Sequence, residues 1–228
     1  MPVAPRTIGF LSEVIHTPQT PDAAPIQRLH DAMFRSGDPA YRNFAVTHEG
    51  CLLSNPVARA GAKSQAAFLG DRMRFTEEHS GLTVDDFARR VRGITEQVCE
   101  ARSLPIIVGQ VVTIRTLVTP RSPSDGLEFM RASLLGLEEE LEDFGRPAAS
   151  LGIRLAFTPR AEDPNAFALR VESVLGDPRS LWIECQGTFP AIQVARGLDA
   201  VEENALTTYT FATGRALSFL ERFDGTRT

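Results

Sequence analysis

The chain is poor in the residues that usually announce a chemistry. Its 228 residues hold three cysteines, Cys51, Cys99 and Cys185, an odd number at wide spacing. No pair has metal-ligand spacing, and a disulfide framework is not expected. There is one tryptophan, Trp182, and only four histidines, none in an H-x-H or H-E-x-x-H pattern. No G-x-S-x-G, P-loop or strand-linked G-x-G-x-x-G occurs, so the familiar hydrolase and nucleotide-binding motifs are missing. No apolar run approaches the roughly 18 residues of a membrane span. The opening residues lack a basic segment followed by a long apolar one, so no secretory signal is expected. A net charge of −5 leaves no overall basic footprint for nucleic acid. The expectation is a reduced, cytoplasmic protein with no cofactor, no metal and no membrane partner.

What is present is ordinary globular composition, 43% hydrophobic and 23% charged, and a phrase written twice. "HTPQTPD" ends at Asp22, and "VTPRSPSD" ends at Asp125. Each follows a β-branched, aliphatic run, Thr7 to Ile15 and Ile106 to Val118, that reads as a strand stopped by Thr-Pro. Each precedes an amphipathic helix, about 23–36 with Gly37 ending it, and about 126–144 with Gly145 ending it. Asp22 and Asp125 are placed to cap these helices. The second helix is expected to line up Leu127, Met130, Leu134, Leu137, Leu141 and Phe144, leaving the acids of "LEEELED" on its wet face.

The order continues in parallel. Strands are expected at 41–56 and 66–79 in one half, and at 150–159, 165–175 and 180–189 in the other. Each half closes on a helix, one capped by Thr83 and one by Asp199 with Glu202. The reading is an α+β protein. It has a mostly antiparallel sheet with helices on one face, built from two pseudo-repeated strand–helix–strand–strand–helix halves. The halves span about 7–101 and 106–223, joined near 102–105 within one integrated domain. The Asn55–Ser64 stretch is expected to be the most mobile loop. The Pro-x-x-Pro strings Pro18–Pro21 and Pro120–Pro123 read as strand-to-helix turns rather than ligands for a proline-binding module.

Alternation along the strands sorts the faces. Phe167, Leu169 and Val171 point inward, as do Met73, Phe75, Ile153 and Leu155. The other parity collects Arg72, Arg74, Arg115, Arg154, Arg170, Glu172 and Glu184, with Trp182. Three readings stand for that surface. The first is a solvated sheet with cross-strand ion pairs. The second is an interface, with a second copy or another protein, anchored by Trp182 and arginines. The third is an anion pocket between sheet and helices, with Arg115 at its centre and Glu13 or Glu49 assisting. Arg115 is the lone charge in an apolar strand and needs a partner, for which Glu13 is the candidate. Cys99 and Cys185 are expected to be inert buried thiols, and a metal site from His16, His48 and His79 is the weakest candidate. The function best matched is association without catalysis, as a homo-oligomer or complex subunit. The alternative is a small-molecule binder or enzyme using the Arg115 pocket; nucleic-acid binding is disfavoured.

Overall fold

The computed structural model describes residues 5–20, 22–37, 39–57, 59–121, 125–137 and 139–225. Two long strands form the middle of an antiparallel sheet: β1 (Arg6–His16) and β6 (Ile106–Val118), paired from Arg6↔Leu117 to His16↔Ile107. Both are rich in β-branched and aliphatic residues, which suit a pleated, half-buried surface. Outward from β1 come β5 (Arg72–Glu78), β4 (Lys63–Phe68), β3 (Cys51–Ser54) and β2 (Asn43–Val46). Outward from β6 come β9 (Asp177–Phe189), β8 (Ala166–Val174) and β7 (Gly152–Phe157). The short β10 (Ile192–Gln193) resumes the β9 register on β6 after Pro190. Consecutive neighbours are hairpins, while the strands on either side of a long helix sit apart or at the centre.

The helices lie on one face. α1 (Ala24–Arg35) sets His30 against Phe44 of β2, and α2 (Val84–Ala101) stacks Phe87 on Phe10 of β1 at 5.4 Å. α3 (Gly126–Glu128) runs on as a π-helical segment, Phe129–Leu135, against β8 and β9. α4 (Asp199–Thr210) runs through a second π-helical segment, Phe211–Ala216, into α5 (Leu217–Glu221). Its close approach to the sheet requires Gly187, where a Cβ would come within 2.5 Å of the Thr208 hydroxyl. One buried cluster joins both halves, from Leu53 and Phe75 through Phe10 and Ile114 to Leu169 and Leu220. Full burial of a side chain such as Phe87 contributes about 2–3 kcal/mol.

The structure departs from the sequence pattern in several places. The 41–56 segment is a hairpin, β2 and β3, turned at Thr47–Gly50, and 66–79 belongs to a second hairpin turned at 69–71. β4 already begins at Lys63, inside the stretch expected as loop; Ala58 of that stretch lies outside the described residues. The helix expected over 126–144 ends at Leu135, because Gly136 takes the left-handed conformation (φ 65°) that stops a helix. Phe144, expected on its apolar face, is 75% exposed, and the acidic run follows the helix instead of lining it. Glu138 of that run lies outside the described residues, as do Pro21 and Pro123 of the Pro-x-x-Pro strings. Thr83 and Asp125 do cap, accepting from the Asp86 and Glu128 N–H groups. Asp22 accepts from the Ala24 N–H although Ala23 holds the cap position. Asp199 caps nothing; it pairs with Arg92 of α2 at 2.6 Å.

Candidate functional site

Directly paired residues of an antiparallel ladder share a face, so the register assigns the surface opposite the helices. One row across it reads Lys63, Glu78, Gly9, Arg115, Glu184, Arg170, Arg154. A second reads Arg74, Glu13, Val111, Thr188. A third carries Arg6, Leu117, Trp182, Glu172. The structure thus brings Arg72, Arg74, Arg115, Arg154, Arg170, Glu172, Trp182 and Glu184 onto one uncovered sheet face.

Arg115 stands at the centre. Its guanidinium donates to Glu78 on one side and, at 2.8 Å, to Glu184 on the other. Burial opposes its charge, but the two carboxylates hold its pKa above the ordinary arginine value. The Trp182 ring lies between Arg115 and Arg170, whose guanidinium carbons sit 5.6 and 5.2 Å from the ring centroid. Such contacts contribute roughly 0.5–1 kcal/mol each at exposed sites. Arg170 also pairs with Glu172 at 2.6 Å. Beside them, Arg154, Arg170, Glu172, Glu184 and Gln186 line a shallow hollow of about 460 Å³.

Glu13 is not the partner of Arg115. It pairs with Arg74 at 2.6 Å and Arg72 at 3.2 Å, and faces Val111 on β6 while Gly9 faces Arg115. Arg72 also grips Asp71, which holds the Asp71 carboxyl below its ordinary range. Glu49 is far from both: it sits in the β2–β3 turn, beside His48 at 3.7 Å, and both are well exposed. The expected pocket between sheet and helices therefore does not form around Arg115, which points away from the helices. His16 is buried and His48 exposed, and among the described residues no cluster of three or more His, Cys, Asp or Glu is arranged for a metal ion. All three cysteines are buried; burial pushes the Cys99 thiol up to about 11 and Cys185 to about 12.

Among the described residues, every carboxylate on the open face is in an ion pair, while Arg6, Lys63 and Arg154 are in none. Counting Asp71, the face carries seven basic and five acidic side chains, although the whole chain is at −5. No protein-family model matches this chain, and no curated protein is significantly similar to it. Among the described residues no helix is long and apolar enough to cross a membrane.

Two further groupings escaped the sequence reading. Glu77 is buried under α2, where its Oε1 accepts from Arg90 (2.9 Å), Ser64 (3.0 Å) and Tyr41 (3.2 Å), while Oε2 is buried with no close hydrogen bond among the described residues. Burial raises its pKa. The signal was available, since Glu77 shares parity with the core residues Met73 and Phe75. Phe157, Phe167, Phe211 and Phe219 gather where the end of the sheet meets α4–α5, with Phe167 stacked on Phe211 at 4.5 Å. Phe157 and Phe167 are a register pair, which no local pattern reveals.

Proposed function

We propose that the protein acts by association, as a complex subunit that docks an acidic protein surface across the open face of its sheet. The observation that carries this is the imbalance of that face: among the described residues each of its carboxylates is in an ion pair within it, and Arg6, Lys63 and Arg154 are in none. A partner's acids complete them. The ion pairs around Arg115 fix the side chains in advance, which lowers the ordering cost of binding. Nucleic acid fits less well, because Trp182 is the face's one large aromatic and it is already flanked by Arg115 and Arg170, leaving no stacking platform. A second copy of the chain is a candidate partner, since the surface outside this face carries the chain's negative charge. The buried, unpaired cysteines support a reducing compartment such as the cytoplasm.

Fluorescent poly-L-glutamate tests the docking. The expected result is saturable binding at low salt that weakens steeply as salt rises, and that falls at least fivefold in an Arg6→Glu/Lys63→Glu protein. No binding at low salt, unchanged binding in the double variant, or tighter binding of single-stranded DNA of equal charge would overturn the reading.

We also infer that the two halves descend from one duplicated unit. Supporting this, β1 and β6 are neighbours, and each is flanked on its outer side by the last long strand of its own half. Superposing 7–101 on 106–223 should align strands and helices in order; unrelated paths would refute it.

A further inference from the structure

β7 ends the sheet, and no described strand pairs with its outer side. Ser173 donates its N–H to the Leu151 carbonyl at 3.0 Å, in register with the β7–β8 ladder. Bonded and non-bonded pairs alternate in such a ladder. Ile153, Leu155 and Phe157 therefore exchange bonds with β8, and Gly152, Arg154 and Ala156 turn their N–H and C=O groups outward. No proline, bulge or register shift interrupts the strand. An open edge of this kind is a template for another strand.

The two sides of the edge differ in chemistry. On the helix side a groove of about 620 Å³ runs beneath Leu155 and Phe157, floored by Phe167, Phe211 and Phe219, with Arg160, Asp163 and Arg215 also in its lining. Phe157 is 43% exposed over it. On the open side Arg154 stands exposed and is in no ion pair, beside the hollow of about 460 Å³. An added strand sends alternate side chains to these two sides.

We propose that the β7 edge captures an extended segment of a partner protein in which apolar residues alternate with acidic ones. The outward N–H and C=O groups of Gly152, Arg154 and Ala156 bond the segment's backbone. Its apolar side chains enter the phenylalanine groove, and an acid meets Arg154. This is β-strand addition, in which main-chain bonds give affinity and side pockets give specificity. A second copy fits poorly: antiparallel β7–β7 pairing centred on Arg154 or Leu155 sets two Arg154 side chains opposite or diagonal to each other. The inference adds a second surface to the open-face reading and shares only Arg154 with it.

The test is fluorescence anisotropy of the labelled peptide EVEVEFE with the full chain. Ala156→Pro removes one outward N–H and no bond to β8, so the fold should survive, as thermal melting will check. The expected results are saturable binding, a loss of about tenfold or more in Ala156→Pro, and a switch of preference from EVEVEFE to KVKVKFK in Arg154→Glu. Binding should be unchanged in Arg6→Glu/Lys63→Glu, which separates this site from the rest of the open face. The proposal is overturned if EVEVEFE does not bind, if a folded Ala156→Pro protein binds it as well as the wild type, or if the Arg6→Glu/Lys63→Glu change abolishes it. A dimer in sedimentation velocity that Ala156→Pro dissociates would assign the edge to a second copy and would likewise overturn it.

Discussion

At one end of the sheet β2 offers four residues, Asn43–Val46; at the other β7 offers six, Gly152–Phe157. The β2 end is tied down. Asn55 donates to the Ala40 carbonyl (2.9 Å) and to Ser64 (3.0 Å) and accepts from the Arg42 N–H (3.1 Å). Behind it Tyr41 and Glu77 are buried beside Arg90 of α2, and His30 of α1 covers Phe44. The β7 end has a longer free edge, a half-covered apolar side and an unpaired cation. At β2 packing runs out to the edge of the sheet; at β7 it stops short of it. The first half spends its outer residues on closing its own core, and the second leaves apolar and basic groups for something else.

Substitutions that separate the two ends sharpen this contrast. The largest effect is expected between two phenylalanines. Phe87→Ala, under the β5 side of the sheet, should lower the unfolding free energy by about 3–5 kcal/mol, and Phe157→Ala by less than about 1 kcal/mol. Urea denaturation of both would show it, and equal losses would mean that the β7 end is as fully packed as the rest. A smaller contrast runs along the charge ladder. Arg115→Met leaves Glu78 and Glu184 facing each other without their shared cation and should cost about 1–2 kcal/mol. Arg154→Met at the edge should stay within about 0.5 kcal/mol of wild type. A neutral Arg115→Met would return Arg115 to the list of binding residues.

The smallest effect is in pH dependence, and it belongs to the tied end. Burial raises the Glu77 pKa in the folded state, so the stability contributed by its protonated form is full below its ordinary value of 4.5 and is lost as pH rises through the folded value. The stability advantage of wild type over Glu77→Gln should therefore grow as pH falls toward 4.5. His16, buried at the end of β1 with Nε2 unpartnered, is lowered by burial. Its contribution is full above 6.5 and is lost as pH falls through its lowered folded value. Melting curves of Glu77→Gln and of a His16→Gln protein between pH 4 and 8 should slope in opposite senses relative to wild type. Parallel slopes would contradict the burial of one of the two.

Much of this architecture was legible in local patterns. Alternation placed Arg72, Arg74, Arg115, Arg154, Arg170 and Glu184 on one face, because a strand's period of two holds whatever it pairs with. The long-range pairings were not legible. Naming Glu78 as the partner of Arg115 requires the registers of three strands, and Glu13, on the strand directly beside Arg115, is set too far along it, opposite Val111 while Gly9 faces Arg115. Helix length failed at Gly136 because a single left-handed residue outweighed a leucine pattern that ran past it. The phenylalanine groove was invisible because its members come from β7, β8 and the α4–α5 run, far apart in the chain.

Amide mapping of the ¹⁵N-labelled chain during titration with poly-L-glutamate locates the docking surface residue by residue. Shifts are expected at open-face positions of β1, β4, β6 and β7, around Arg6, Lys63, Arg115 and Arg154, and should disappear with added salt. Shifts confined to the helical layer, or none at all, would rule out docking on the open face.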